Sequence, residues 1–211
     1  MKLTSHSFSN GSAIPCEYAF ATIDPVTHIS LSTNRNPHLA WSEIPAETQS
    51  FVLICHDCDA PSSVESVNQQ GKEVPASLPR IDFFHWLLLD IPANTREITA
   101  GAHSSGITPR GKTGPAATVD MRHGLNDYTL WFANDEQMKG EYFGYDGPCP
   151  PWNDTLIHHY TFTLYAIDVP RLSVDGAFTG TNIRTALEGH VLSEASIMGT
   201  YTLTPQLNQK A

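Results

Sequence analysis

The sequence predicts a mainly β protein, an antiparallel β-sandwich that carries a small helix near its C-terminus. Short apolar runs alternate with turn residues along the chain, and 14 glycines and 15 prolines supply many turns. Charged residues make up only 16% of the chain, against roughly 25% in an average soluble domain, which disfavours long salt-bridged helices. The length fits one domain, residues 1–211.

Apolar runs of strand length recur through the chain. The first is followed by the turn-prone residues 57–61, and the second is stopped by Pro92. The predicted strands are residues 51–54, 83–91, 128–133, 159–169 and 199–204. Long polar stretches at residues 62–82 and 103–123 separate them and predict long loops, which either carry function or are insertions.

One segment, residues 183–195, has the apolar period of a helix. Thr181 and Asn182 are the candidate N-caps. Gly189 lies inside the segment and disfavours one unbroken helix.

The charge balance excludes several classes of function. With 12 basic and 22 acidic residues the net charge is −10, and no Lys/Arg cluster offers a nucleic-acid footprint. Adsorption to acidic membranes is disfavoured for the same reason. Neither a signal peptide nor a membrane-inserted segment is expected, so four cysteines indicate thiols in a cytoplasmic protein.

Unusual polar residues concentrate in three short segments, the first of which follows residues 51–54. Asp57 and Asp59 are spaced i, i+2, so their side chains point the same way if the backbone stays extended. Two adjacent carboxylates repel each other and therefore need hydrogen-bond donors or a shared proton.

The other two segments place histidines in or beside strands. His85 lies among apolar residues, and the glycine- and proline-rich residues 147–152 precede His158. In a strand, His158 and Tyr160 share the face of the apolar residues that follow, whereas His159 points to the other face.

Each segment also has a purely structural interpretation. A lone histidine in an apolar strand, such as His85 or His158, is more often a core residue bonded to a backbone carbonyl. Asp-x-Asp at a strand end is commonly a turn, and the proline run is compatible with a rigid loop. A functional site would be favoured if the carboxylates, the two imidazoles, the phenol and the proline-rich loop all met in one pocket.

Taken together, four blocks carry a family resemblance: Asp57-x-Asp59-Ala60-Pro61, Phe84-His85-Trp86, Gly147-Pro148-x-Pro150-Pro151 and His158-His159-Tyr160. They resemble the signature blocks of the phosphatidylethanolamine-binding family, in its bacterial Raf-kinase-inhibitor-like branch. With flanking matches, the resemblance covers roughly residues 30–203 in the family's order. It implies a Greek-key β-sandwich with a small anion pocket at one end.

The resemblance also implies the pocket's residues and ligands. Its implied ligand-binding set is Asp57, Asp59, His85, Gly147, Pro148, His158 and Tyr160, with residues 147–151 as the rim. The implied ligand is a phospholipid headgroup or another phosphate-containing anion, bound by imidazole, phenol and loop donors. The resemblance further suggests a kinase- or protease-inhibitor-like regulator with a protein partner and a homodimeric state. The family's usual Asp-Pro-Asp is Asp57-Cys58-Asp59 here, which changes the constraint on the pocket backbone.

A metal site is the first alternative. Cys55-His56-Asp57-Cys58 contains a C-x-x-C pair, but a single pair is a weak zinc signal. In an extended strand Cys55 and Cys58 lie on opposite faces, so structural thiols are favoured. We therefore expect no metal and no cofactor.

A metal-independent hydrolase of phosphate esters is the second alternative. Asp57 or Asp59 together with His85 and His158 has the composition of an acid/base set. The sequence contains no G-x-S-x-G elbow and no P-loop lysine motif, so we expect a binding protein rather than an enzyme.

Overall fold

The computed structural model describes residues 1–118 and 120–208. Ten strands form in this part of the chain: β1 (Lys2–Thr4), β2 (Ala21–Asp24), β3 (His28–Leu31), β4 (Leu39–Ser42), β5 (Ser50–Pro61), β6 (Arg80–Pro92), β7 (Glu97–Ile98), β8 (Arg122–His123), β9 (His158–Ile167) and β10 (Val191–Tyr201). The helices are α1 (Tyr128–Trp131), α2 (Gly180–Leu187) and α3 (Pro205–Asn208), with a short 3-10 turn at Cys16–Tyr18.

The central sheet has five antiparallel strands in the order β10-β9-β5-β6-β8. The chain runs from β5 through β6 to β8 and then returns to place β9 beside β5, which is a Greek-key arrangement. A second sheet has the order β1-β4-β7, and β2 pairs with β3 as a hairpin. The predicted fold class, a mainly β antiparallel sandwich with a small C-terminal helix, is confirmed.

The central sheet is covered on both faces because successive side chains of a strand point to opposite sides. Phe51 and Leu53 of β5 face the β1-β4-β7 sheet, where Trp41 packs edge-on against Phe51 with ring centroids 5.5 Å apart. Val52 and Ile54 face the other way, toward α2 and the loop before it. Each fully buried aliphatic or aromatic side chain contributes roughly 1.5–3 kcal/mol.

The predicted strands at residues 51–54, 83–91 and 159–169 correspond to β5, β6 and β9, with shifted ends. The turn predicted at residues 57–61 is wrong, since β5 continues to Pro61. The chain instead has a bulge there, and its pairing register with β6 shifts between Asp57 and Ala60. An added residue in a bulge redirects the side chains that follow it.

The strand predicted at residues 128–133 is also wrong. Residues 128–131 form the short helix α1, and Tyr128 stacks on the C-cap residue Phe132 with ring centroids 5.6 Å apart. In a helix, side chains four residues apart lie one turn apart on the same face and can touch. In a strand the same two residues would lie about 13 Å apart, too far for their rings to stack. A short apolar run does not by itself separate the two structures.

The helix predicted over residues 183–195 is too long. Helix α2 ends at Leu187, and Gly189 takes a left-handed φ of 81°, which terminates it. Residues 191–195 belong to β10, so the late strand predicted at 199–204 begins eight residues earlier and ends at Tyr201. Thr179 rather than Thr181 or Asn182 is the N-cap, and its N–H donates to Asn182 Oδ1 at 3.0 Å.

Among residues 1–118 and 120–208, no helix is long and apolar enough to cross a membrane. All four cysteines are free thiols, with Cys55 buried in the sandwich core and Cys58 exposed.

A buried ion pair connects the edge of the central sheet to the loop before α2. Arg122 Nε donates to Asp90 Oδ2 at 2.5 Å, and its other nitrogens donate to the carbonyls of Leu172 and Val174. We expect Arg122→Met to lower the free energy of unfolding by about 3–5 kcal/mol, because the buried Asp90 then keeps only the Leu172 N–H at 3.0 Å and the exposed, more distant Arg171.

Arg171 is the matched control, because it approaches the same carboxylate at 3.7 Å but is exposed. Arg171→Met should change the unfolding free energy, measured in urea, by less than about 1 kcal/mol. Equal losses in the two variants would show that burial does not set the strength of the pair.

Candidate ligand-binding site

A cavity of about 430 Å³ opens at one end of the central sheet. Its walls come from the far end of β5, the beginnings of β6 and β9, helix α1, and the loops at residues 62–68 and 149–151. The polar lining residues are Asp57, Ser62, Asn68, Asp82, His85, Asp127, Tyr128, Cys149, His158 and Tyr160. The long loop that sequence analysis singled out after β5 therefore forms one wall.

A buried chain of charges closes the base of the cavity. His158 Nδ1 lies 2.6 Å from Asp57 Oδ2, and its Nε2 lies 3.0 Å from Asp154 Oδ2. Arg80 then binds Asp154 with two hydrogen bonds of 2.6 and 3.0 Å. Two anions thus alternate with two cations, and the chain is neutral when His158 is protonated.

The surroundings of His158 keep it charged. Burial alone would lower its pKa, but the hydrogen bonds and charges of Asp154 and Asp57 outweigh burial and raise the pKa to about 9. Burial would likewise raise the pKa of Asp154, yet the hydrogen bonds from His158 and Arg80 lower it. Because a carboxylate accepts but does not donate, both ring N–H groups of His158 point at carboxylates and neither is left for a ligand.

His85 differs from His158 in its charge. Its Nδ1 lies 2.7 Å from the backbone carbonyl oxygen of Asp146, so Nδ1 carries the proton. Burial lowers the pKa of His85 despite the opposing charges of Asp57 and Asp146, so the ring is neutral near pH 7. The nearby carboxylates therefore hold His158 in its protonated form but do not do so for His85.

Tyr160 holds an unpaired hydroxyl at the cavity. The side chain is 1% exposed, and its Oη has no hydrogen-bond partner among the described residues. Burial, and then the charge of Asp57, raises the pKa of Tyr160 well above its usual value, so the group stays O–H. Burying an unpaired hydroxyl costs about 1–3 kcal/mol, which a ligand oxygen would recover.

Asp59 does not join this group. After the bulge, its Oδ2 accepts hydrogen bonds from the backbone N–H and Nδ1 of His159, at 2.9 and 2.7 Å. His159 points away from the face of His158 and Tyr160, as predicted, and is partly exposed. The structure therefore pairs Asp59 with His159 outside the cavity lining, because the bulge breaks the i, i+2 relation with Asp57.

The glycine- and proline-rich loop supports the cavity from behind. Gly147 N–H donates to Asn34 Oδ1 at 2.8 Å, and its carbonyl accepts from Tyr128 Oη at 2.7 Å. A side chain at Gly147 would lie 2.2 Å from the carbonyl oxygen of Tyr18, so this close approach requires glycine. Pro150 and Pro151 line the cavity, whereas Gly147 and Pro148 lie one layer behind it.

Sequence reasoning missed two kinds of residue. Asp154 and Arg80 complete the charge chain, and the only available signal was the position of Asp154 four residues before His158. Sequence reasoning also missed four exposed apolar side chains at the mouth of the cavity. We call these residues the collar: Val64, Ile81, Leu130 and Trp131. No lysine or arginine is among the described residues that line the cavity.

The residues present do not favour a metal. Among the described residues, no group of three or more His, Cys, Asp or Glu side chains is arranged to hold one. The cavity thiol, Cys149, is partly buried, and desolvation raises its pKa to about 12. A thiol with so high a pKa is a poor metal ligand and a poor nucleophile at neutral pH.

The raised pKa of His158 predicts how its contribution to stability varies with pH. Its folded pKa of about 9 exceeds the unfolded value near 6.5, so the contribution is complete below pH 6.5 and is lost as pH rises through about 9. The shift corresponds to about 3 kcal/mol. In urea unfolding of wild type and His158→Gln, we expect the difference in unfolding free energy to narrow by that order between pH 6.5 and 9.5. A constant difference would mean that His158 is neutral in the folded protein.

Comparison with known proteins places this geometry in a family. A family profile described as Phosphatidylethanolamine-binding protein matches residues 4–202. UPF0098 protein YbhB of Escherichia coli is 29% identical over 202 residues, covering 96% of this chain and 100% of the relative. A UPF0098 protein of Methanothermobacter thermautotrophicus is 30% identical over 201 residues, covering 95% and 98%.

Solved structures agree with the sequence relatives. A crystal structure of a phosphatidylethanolamine-binding protein homologue from Chlamydia trachomatis aligns with a TM-score of 0.63 at 28% identity, covering 95% of each chain. E. coli YbcL shares the fold, with a TM-score of 0.67 at 24% identity, covering 95% of this chain and 97% of YbcL. The profile match spans nearly the whole chain, and each of the four sequence blocks contributes residues to the lining of one cavity: the chain belongs to the phosphatidylethanolamine-binding protein family.

Proposed function

We propose that this protein binds a small oxyanion head group, such as a phosphate, in the cavity between Tyr160 and His85. The unpaired, buried hydroxyl of Tyr160 is the observation that carries the proposal. Buried polar groups in native proteins almost always have a partner, so an orphan hydroxyl at a cavity indicates an absent one. A hydrogen bond from it to a charged oxygen would contribute about 1.5–3 kcal/mol.

The collar supports a ligand with an apolar part attached to that head group. Its four side chains are exposed by 42–76% and border a single opening. Clustered exposed apolar residues at a pocket mouth are typical of a binding site rather than of ordinary surface. The proposed ligand is therefore an ester whose polar head reaches the floor and whose substituent contacts the collar.

Binding without chemistry is favoured over the hydrolase alternative. In an acid/base mechanism His158 would have to exchange a proton with the ligand, but both of its ring nitrogens lie against carboxylates. His85 keeps a free Nε2, yet the described cavity lining supplies no activated nucleophile beside it. A regulatory role toward a kinase or protease, and self-association as a homodimer, remain predictions from the family resemblance.

The proposal predicts a specific effect of removing the Tyr160 hydroxyl. In calorimetric titrations at pH 6 with inorganic phosphate, phenyl phosphate and hexyl phosphate, we expect Tyr160→Phe to weaken binding of all three by about 10- to 100-fold. The same variant should unfold at an unchanged or higher urea concentration, because an unpaired buried hydroxyl has been removed. Phenyl and hexyl phosphate should bind more tightly than inorganic phosphate because their substituents contact the collar.

Tyr145→Phe is the matched control, because the Tyr145 hydroxyl donates to the Tyr18 carbonyl at 2.6 Å and lies outside the cavity lining. It should reduce stability and leave binding intact. Phosphate binding that is equal in wild type and Tyr160→Phe would overturn the proposal. Release of phenol or hexanol during the titration, detected by NMR, would favour the hydrolase instead.

A further inference from the structure

One buried side chain holds the long loop that forms a wall of the cavity. Residues 62–79, all within the described part of the chain, connect β5 to β6 without a helix or a strand. Asn153 lies beside this loop and is 8% exposed. Its Nδ2 donates to the backbone carbonyls of Ser66, Gln69 and Lys72 at 2.8, 3.3 and 3.0 Å. Three carbonyls of one loop therefore converge on a single amide group.

The oxygen of the same side chain and the neighbouring backbone complete the attachment. Asn153 Oδ1 accepts from the N–H of Asn68 at 2.9 Å, and Asn68 Oδ1 accepts in return from the N–H of Trp152 at 3.0 Å. The carbonyl of Asn153 accepts from the N–H of the fully buried Val74 at 3.0 Å. The loop is thus joined to the rim of the cavity at several points along its length.

This loop carries part of the collar. Val64, which is 65% exposed, belongs to the loop, whereas Ile81 lies on β6 and Leu130 and Trp131 lie on α1. A loop without secondary structure loses conformational entropy when a ligand orders it, and this loss weakens binding unless the loop is already ordered. The hydrogen bonds of Asn153 supply that order in the free protein.

Resting on the function proposed above, we propose that Asn153 is a positioning residue for the apolar part of the ligand. It holds Val64 beside the other collar side chains and thereby sets the preference of the site for esters with a longer apolar substituent. Asn153 itself is not among the described residues that line the cavity, so it acts through the loop. Tyr160 and His85 lie on β9 and β6, so binding of the head group alone should depend on Asn153 much less.

The affinity advantage of hexyl phosphate over methyl phosphate, measured by calorimetry at pH 6, reports the collar contact because the two esters share one head group. Asn153→Asp keeps an oxygen for the Asn68 N–H but places a carboxylate oxygen against the loop carbonyls, so the loop should come away. We expect the hexyl advantage to fall about three- to tenfold, while methyl phosphate affinity changes by less than about threefold. Asn94→Asp adds the same charge at an exposed residue beyond the opposite end of β6 and should leave the advantage unchanged.

A second variant shows whether the effect of Asn153 reaches the ligand through the collar. Val64→Ser removes an apolar contact from an intact loop and should lower the hexyl advantage by a similar factor. If Asn153 acts by positioning Val64, adding Val64→Ser to Asn153→Asp should cost less than about a further 1.5-fold. Two losses that multiply in the double variant would overturn the inference, because Asn153 would then act independently of Val64.

Amide hydrogen exchange tests the attachment without a ligand. The N–H groups of Asn68 and Val74 should exchange slowly in the wild-type protein and faster in Asn153→Asp, because both donate to Asn153. Equal rates in the two proteins would overturn the inference. Should Asn153→Asp fail to fold, Asn68→Gly replaces it, because it removes the acceptor for the Trp152 N–H and glycine fits the φ of 56°. An unchanged hexyl advantage in that variant would likewise overturn the inference.

Failure of this inference is separable from failure of the proposed function. If methyl and hexyl phosphate bind the wild-type protein and the hexyl advantage is the same in Asn153→Asp, only the role of Asn153 is wrong. If neither ester nor inorganic phosphate binds the folded wild-type protein, the proposed function is overturned as well.

Discussion

The site depends on one buried interaction, the imidazole of His158 held between Asp57 and Asp154. It joins β5 to the start of β9, and through Arg80 it reaches the start of β6. Three of the segments that build the cavity are thus connected by alternating charges. Removing the central cation would leave the buried carboxylates of Asp57 and Asp154 without the charge between them. Such a loss destabilises a protein strongly, because a buried charge then lacks its partner.

The buried charge network around His158 also limits which groups of the cavity are free to contact a ligand. The charges of this network neutralise one another. His158 is protonated, but both of its ring N–H groups point at carboxylates, so it has no free N–H for an anion. Among the described residues that line the cavity, the phenol hydroxyl of Tyr160 is buried and unpaired, and the neutral imidazole of His85 packs against the Tyr160 ring. In a chain of net charge −10, such uncharged groups fit the small head group proposed above better than a polyanion.

Much of this arrangement was predictable from sequence. The strands around Phe51, His85 and Tyr160, and the opposite orientation of His158 and His159, follow from apolar runs and the two-residue period of a strand. The position of Asp59 was not predictable, because a bulge adds a residue without a sequence signal of its own. Helix α1 and the early start of β10 were missed because short apolar runs acquire their structure from tertiary packing.

The most direct measurement is nitrogen-15 NMR of the histidine rings at pH 7.5, with the His158 signals assigned by their loss in His158→Gln. The charge chain predicts that both ring nitrogens of His158 carry protons and remain protonated until pH approaches about 9. A ring with one unprotonated nitrogen at pH 7.5 would contradict the account, since His158 would then have no cation to offer the two carboxylates.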